Sequence, residues 1–254
     1  MRNIPLSTVD GVDRPLLAIA TDYPAGTLLD THSHRRAQFL YGATGSMEVG
    51  TDDGAWVVPP SCGVWIPAGK PHRVRMLGVS TRSLYIEPRA APRAALQCEV
   101  RQVSPLLRQL LLDSAGLPAE YERRGRDAAL VQLIVHELQR APTLPFFAPM
   151  PRDAALAALC ARFLHRPDVH ASPADWAQQL HRSERGFTRF FRLQTGMSFG
   201  EWRQQACLLA ALSRLSLGDA VTTVALDLGY ESPGAFSTMF RKRLGIPPSA
   251  FLRA

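Results

Sequence analysis

Between residues 15 and 88 the apolar positions come in short runs separated by Gly, Pro and Asp. Leu16–Thr21, Ala37–Tyr41, Ser46–Gly50, Trp56–Val58, Val64–Ile66, Arg73–Leu77 and Arg82–Ile86 are short and bounded by turn residues, the pattern of an all-β sandwich or barrel. From Ser104 the apolar spacing changes to three and four. Leu106, Leu107, Leu110 and Leu111 predict a helix over Pro105–Ser114, and Leu130, Leu133, Ile134 and Leu138 predict one over Arg126–Arg140. Ala141–Pro151 holds four prolines in eleven residues, which excludes a helix and reads as an interdomain linker. The expected class is α+β in two domains. Residues 1–100 form a β-barrel, 101–149 a helical segment and linker, and 150–254 an all-helical domain.

The last domain carries the sharpest local signals. Ser172, Pro173 and Asp175 open a short helix with Trp176, Ala177 and Leu180 as its apolar stripe. A turn at His181-Arg182 leads to Ser183, the N-cap of a second helix over Glu184–Gln194 that Gly196 ends. At about 100° per residue, Phe187, Phe190 and Phe191 fall on one side of that helix, and Arg185, Thr188, Arg189 and Arg192 on the other. Three aromatics for a core and an Arg-Thr-Arg-Arg edge suit a DNA major groove. On its own, such an edge also fits the solvated side of an ordinary amphipathic helix. The pattern recurs 49 residues later, however: Ser183, Phe187, Phe191, Arg192 and Gly196 match Ser232, Phe236, Phe240, Arg241 and Gly245. Between the copies Ser198-Phe-Gly-Glu201 is a capping box opening a long helix to about Leu215. Two helix-turn-helix units on a stiff connector are the expectation.

The stretch Val224–Phe251, with its Gly-Tyr-Glu-Ser turn, Phe-x-x-x-Phe-Arg core and Gly-x-Pro-Pro tail, resembles the DNA-binding domain of the AraC-type transcription regulators. The resemblance implies that two helix-turn-helix units read successive major-groove segments. Carried over by position, Arg185, Thr188 and Arg189 are the base readers of the first unit, with Arg182 and Arg192 at its margins for phosphate. In the second unit the reading positions are Pro233, Gly234, Ser237 and Thr238, which have little reach, while Arg241 and Lys242 hold the backbone. The resemblance also implies a homodimer paired through residues 101–149, though those helices alternatively pack on the barrel. It further implies double-stranded DNA and RNA polymerase as partners, and a role as an activator.

Two phrases near the N-terminus, Gly26 to His32-Ser-His34 to Gln38 and Pro67-Ala-Gly69-Lys-Pro-His72, resemble the two cupin motifs. The resemblance implies a cupin-like barrel sensing a small-molecule effector. By strand alternation His32, His34, Arg36 and Gln38 share a face, and His72 starts a face of another strand. These five are the effector-site candidates, with Arg36 favouring an anion. His32, His34 and His72 are the candidate ligands of a divalent metal. Gln38 stands where metal-binding cupins carry a carboxylate. A metal site, a metal-free effector pocket and a structural hydrogen-bonded cluster are all open at this point. His136, His165, His170 and His181 have no ligand spacing.

Composition narrows the classes. Of the 254 residues 46% are apolar and 20% charged, an ordinary globular balance. The net charge is +7, 27 of the 29 basic residues are Arg, and residues 150–254 hold 13 basic against 8 acidic residues. That asymmetry is the footprint of a nucleic-acid module, although arginine bias also follows genome composition. Cys62, Cys98, Cys160 and Cys207 form no Cys-x-x-Cys pair, which speaks against a disulfide framework or a structural zinc site. No apolar stretch suits a signal peptide or a membrane span, so the expected setting is cytoplasmic with no membrane partner. No nucleophile triad, phosphate loop or paired-carboxylate arrangement is recognisable. The reading is therefore a non-enzymatic, sequence-specific transcription regulator with no obligatory cofactor. Its rivals are a metal-dependent cupin enzyme with a DNA-binding tail and a nonspecific nucleoid-type binder.

Overall fold

The computed structural model describes residues 3–91 and 97–251, so the outer ends of the expected ranges 1–100 and 150–254 lie outside the described residues. In chain order the elements are β1 (Leu16–Tyr23), β2 (Leu28–His32), β3 (Ala37–Gly50), β4 (Gly54–Val58), β5 (Cys62–Ile66), β6 (His72–Ile86) and β7 (Glu99–Gln102). There follow α1 (Pro105–Ser114), α2 (Arg126–Arg140), β8 (Thr143–Leu144), β9 (Phe147–Pro149) and α3 (Ala154–His165). The chain finishes with α4 (Pro173–Gln179), α5 (Glu184–Thr195), α6 (Phe199–Ser216), α7 (Val221–Asp227), α8 (Pro233–Leu244) and α9 (Pro248–Phe251). Two compact units result: residues 1–49 with 58–145, and residues 50–57 with 146–254.

In the first unit the strand order is β1-β6-β3-β5-β7-β8, with β2 also paired to β6, and no pairing among the described residues closes the sheet into a barrel. Leu16, Ala18, Phe39, Tyr41, Trp65, Leu84 and Ile86 line one apolar face. Against it pack Leu107, Leu110 and Leu111 of α1 and Leu130, Val131, Ile134 and Leu138 of α2. Each such buried side chain contributes about 1.5–3 kcal/mol before the entropy of ordering it. Ser104 caps α1 by accepting from Leu107 N–H. The helical segment thus packs on the sheet, while Leu106 and Leu133 stay exposed on its outer side.

Four of the expected strands merge into two. Ala37–Tyr41 and Ser46–Gly50 are parts of β3, and Arg73–Leu77 and Arg82–Ile86 are parts of β6. The intervening glycines are not ends. Gly45 and Gly78 both have positive φ, and a Cβ on Gly45 would lie 2.2 Å from the Gly78 carbonyl oxygen, so they mark a close crossing of two bent strands.

In the second unit the proline-rich segment is more than a linker. Its β9 pairs antiparallel with β4, Gly54 opposite Pro149 and Trp56 opposite Phe147, and the two aromatic rings stack at 4.5 Å. Pro is tolerated there because the strand is short and lies at an edge. The Pro149 carbonyl accepts from Trp202 Nε1 at 2.8 Å, which ties this ribbon to α6. Eighteen residues make α6 about 27 Å long. Its capping box is complete, Ser198 accepting from Glu201 N–H while the Glu201 carboxylate accepts from Ser198 N–H. At its C-terminal end Arg214 pairs with Asp219 at 2.7 Å and Asp227 at 2.8 Å, holding α7. Among the described residues no helix is long and apolar enough to cross a membrane.

Candidate functional site

The helical unit presents its charge from α5. Ser183 caps it by accepting from Gly186 N–H, and Gly196 ends it in the left-handed conformation at φ 74°. Phe187 and Phe191 are fully buried among Trp176, Phe199 and Trp202. Arg185, Thr188, Arg189 and Arg192 are all exposed. Among the described residues none of these three arginines joins a salt bridge, so their guanidiniums are available to an anion. Phe190 departs from expectation. It is half-buried, not core, because the Arg182 guanidinium stacks on its ring at 3.9 Å. Thr188 donates its hydroxyl proton to the Glu184 carbonyl at 2.9 Å.

The second copy repeats this frame with a plainer surface. Ser232 caps α8, Gly245 ends it at φ 74°, and Phe236 and Phe240 are fully buried. Gly234, Thr238, Arg241 and Lys242 are exposed and Ser237 is half-buried. Thr238 donates to the Gly234 carbonyl at 3.0 Å. Arg243, not singled out in the sequence, donates to Gln204 Oε1 at 2.8 Å and so braces α8 against α6. The turn before α8 needs its glycine: Gly229 has φ 86°, and a Cβ there would meet Asp168 at 2.7 Å.

In the first unit the histidines converge by a different route from strand alternation. The chain leaves β2 at His32, turns through Ser33–Arg36 and re-enters the sheet at Ala37. His32 lies opposite His72 in the β2–β6 register. Ring centroids are 4.4 Å apart for His32 and His72, 5.1 Å for His34 and His72, and 6.1 Å for His32 and His34. One ring nitrogen from each lies within 4.8 Å of the others. Every Nδ1 faces a backbone carbonyl, His32 to Asp30 at 2.7 Å, His34 to Arg36 at 2.7 Å and His72 to Lys70 at 2.8 Å. A carbonyl only accepts, so each of these Nδ1 atoms carries a proton. His72 Nε2 is buried and has no hydrogen-bond partner among the described residues. Burial lowers the His72 pKa to about 4, against the raising effect of the Lys70 carbonyl, so this ring is neutral at pH 7.

Gln38 faces His34 Nε2 at 3.1 Å, and its amide also meets Ser83 Oγ at 3.3 Å and the Tyr85 hydroxyl at 3.1 Å. The Gln38 amide nitrogen donates to Ser83 Oγ and to the Tyr85 hydroxyl, and its oxygen faces His34 Nε2. Ser83 and Tyr85 are therefore part of the site and were missed in the sequence. Their alternation along β6 was the available signal. Burial pushes the Tyr85 hydroxyl pKa up to about 12, which keeps it a donor.

Arg36 does not join this cluster. It is fully buried and its fork is committed: Nε to Asp10 at 3.0 Å, one terminal nitrogen to the Arg14 carbonyl at 2.9 Å, and the other to Glu87 at 2.8 Å and the Val12 carbonyl at 2.9 Å. The turn at Ser33–Arg36 breaks the alternation that had placed it beside the histidines, so it clamps the N-terminal loop instead of offering charge to an effector. All four cysteines are buried and unbridged.

A family model described as an AraC-like ligand binding domain matches residues 16–190, and one described as a helix-turn-helix domain matches residues 176–254. The chain is 32% identical over 222 residues to the HTH-type transcriptional regulator NimR of Escherichia coli K12, covering 87% of this chain and 81% of that protein. Among solved structures, unsaturated-fatty-acid-bound ToxT of Vibrio cholerae covers 93% of this chain and 94% of its own at 13% identity and a TM-score of 0.39. The DNA-binding domain of AdpA in complex with a target DNA covers 39% of this chain and 90% of its own at 32% identity and a TM-score of 0.36. With a ligand-binding family model over most of its length and a full-span regulator relative, this chain belongs to the AraC family of helix-turn-helix transcriptional regulators.

Proposed function

We propose that the first helix-turn-helix unit supplies most of the sequence specificity of this regulator and the second supplies affinity and register. The observation that carries this is the exposed Arg185-Thr188-Arg189-Arg192 edge of α5, set on a fully buried aromatic back. Arg185 and Arg189 have the reach and planarity to pair with guanine, whereas Gly234 and Thr238 do not. Arg182, Arg192, Arg241 and Lys242 hold phosphates. Protomers pair through the outer side of α1 and α2, where Leu106 is 50% and Leu133 41% exposed. RNA polymerase completes the partners of an activator, and the chain acts in the cytoplasm, as a regulator and not as an enzyme. The full-span regulator relative favours this over a cupin enzyme, as does the neutral Gln38 at the place of a carboxylate.

Selection of operators from a random DNA pool, followed by affinity measurements, tests the DNA reading. Arg189→Ala is expected to lose about 1–3 kcal/mol of discrimination between the selected operator and a single-base variant. Thr238→Ala is expected to lose far less, and the reverse order overturns the assignment. Thr188 reads differently from the arginines. With its hydroxyl proton given to Glu184, it offers the groove a methyl group and lone pairs. Uracil in place of the contacted thymine should weaken binding about fourfold, the worth of one buried methyl. Thr188→Val should keep that sensitivity, whereas Thr188→Ser should abolish it.

A further inference from the structure

We propose that Phe190 is a positioning residue for DNA, holding the Arg182 guanidinium along the flank of α5 where it meets a phosphate of the groove wall. This deepens the phosphate role given to Arg182 above and rests on the reading of α5 as the groove helix.

The flank follows from the helix pitch. At about 100° per residue, Leu193 lies about 40° round α5 from Arg189, and Phe190 about 100° round. A helix that turns its Arg185–Arg189 edge to the bases turns this flank to one sugar-phosphate wall. Two groups there have no use within the protein. Leu193 is an apolar side chain left 79% exposed. Arg182 is exposed and its guanidinium lies 3.9 Å from the centroid of the Phe190 ring. Among the described residues that guanidinium forms no hydrogen bond or ion pair. The stack covers only its face, and its five N–H groups stay outward in the plane. Arg14 shows the contrast. It lies 5.6 Å from the Tyr121 ring, but its N–H groups go to the Tyr121 and Asp13 carbonyls, so that stack serves the fold.

Both ends of Arg182 are fixed. Its backbone N–H donates to the Ala177 carbonyl at 2.9 Å, just after His181 takes the left-handed conformation at φ 51°. Ser183 follows as the N-cap of α5. Anchored at the backbone and stacked at the head, the side chain has already given up rotamer freedom that a phosphate contact would otherwise cost. A cation beside an exposed apolar side chain also matches the wall itself, where anionic phosphates alternate with apolar sugar faces. The second unit lacks the device. Glu231 precedes its N-cap serine and Met239 stands where the first unit has Phe190, so it offers neither the cation nor the ring.

The test uses the full chain and the selected operator, with each phosphate in turn replaced by an uncharged methylphosphonate. In the wild type, one replacement on the wall beside α5 should weaken binding about tenfold, the lower end for a hydrogen bond between charged groups. Arg182→Ala should erase that sensitivity and lower the slope of log affinity against log salt by about 0.9. Phe190→Met, which gives the first unit the residue of the second, should blunt the same sensitivity. It should also lower affinity about two- to fivefold, the worth of an exposed cation–π contact. The same change should cost nothing further once Arg182→Ala is present. Phe190→Tyr keeps the ring face and should keep the wild-type profile. At the exposed end of the pair, Arg182→Lys keeps the charge but not the planar stack, and should lose most of the sensitivity. A wild-type profile in Arg182→Ala, Arg182→Lys or Phe190→Met overturns the proposal. So does a Phe190→Met loss that persists in full beside Arg182→Ala, because the ring would then be a structural support only. If the profile fails in either way while Arg189→Ala still loses discrimination, the reading of α5 stands without the positioning role. If Arg189→Ala loses nothing while Arg182 and Phe190 share one phosphate, the specificity reading falls and the positioning role stands.

Discussion

Replacing Arg36 with alanine is expected to destabilise the sensor unit by about 3 kcal/mol, the lower end of the cost of breaking a buried ion pair. Arg36 is fully buried, and its guanidinium joins Asp10, Glu87 and the carbonyls of Val12 and Arg14. Its removal leaves those carbonyls without their donor and opens a space the size of the side chain. Two facts keep the cost from being larger. Asp10 and Glu87 retain side-chain exposures of 28% and 16%, and Arg35 already pairs with both carboxylates at 3.0 and 2.7 Å. Arg35→Ala, at a side chain 49% exposed, should therefore cost under about 1 kcal/mol. Arg36→Lys should recover little, because an ammonium cannot serve the fork. Calorimetry of the full chain separates the two units, and the sensor transition is the one to read. Equal shifts for Arg35→Ala and Arg36→Ala would show that the buried fork carries no special weight.

Arg36 also shows where reading from sequence runs out. Its partners Asp10 and Glu87 are distant along the chain, and nothing local distinguishes a strand residue from one in the turn Ser33–Arg36. The features that were legible are those whose physics closes within a few residues. Ser172, Ser183, Ser198 and Ser232 all cap the helices they precede, and Gly196 and Gly245 both take the left-handed conformation. The repeat was legible too, because its aromatic positions must be apolar in both copies. The proline-rich segment was half legible. Its prolines exclude helix, but the strand that covers Phe147 is β4, some ninety residues earlier. Phe190 was misplaced for the same reason: periodicity puts it on the core side, and only the three-dimensional position of Arg182 shows that a guanidinium covers it. The three histidines do come together, but not along the strand face expected for them, which the turn after His32 does not continue.

Phe191→Ala is expected to cost the helical unit about 3–5 kcal/mol. Phe191 is fully buried, with ring centroids 5.6 Å from Phe187, 5.4 Å from Phe199, 5.7 Å from Trp202 and 6.2 Å from Trp176. Four edge or tilted aromatic contacts add to the area it buries, and a small side chain there cannot be replaced by collapse of a ring held on several sides. A domain of about a hundred residues has only about 5–15 kcal/mol in total, so this one ring is a large share. The second copy should suffer less. Phe240 has ring neighbours at 5.7 Å from Phe236 and 5.9 Å from Phe251, fewer and at the chain's end. The predicted order is therefore Phe191→Ala well above Phe240→Ala, with Phe190→Ala smallest because that ring is already half-exposed under Arg182. Because the arginine edge of α5 is positioned by its aromatic back, Phe191→Ala should abolish operator discrimination while the transition of the other unit stays unchanged. Calorimetry of both transitions and operator affinity, measured on the same variant, check the parts together. A loss from Phe190→Ala as large as from Phe191→Ala would mean that the helix is docked by a different face, and the reading edge would have to be reassigned with it.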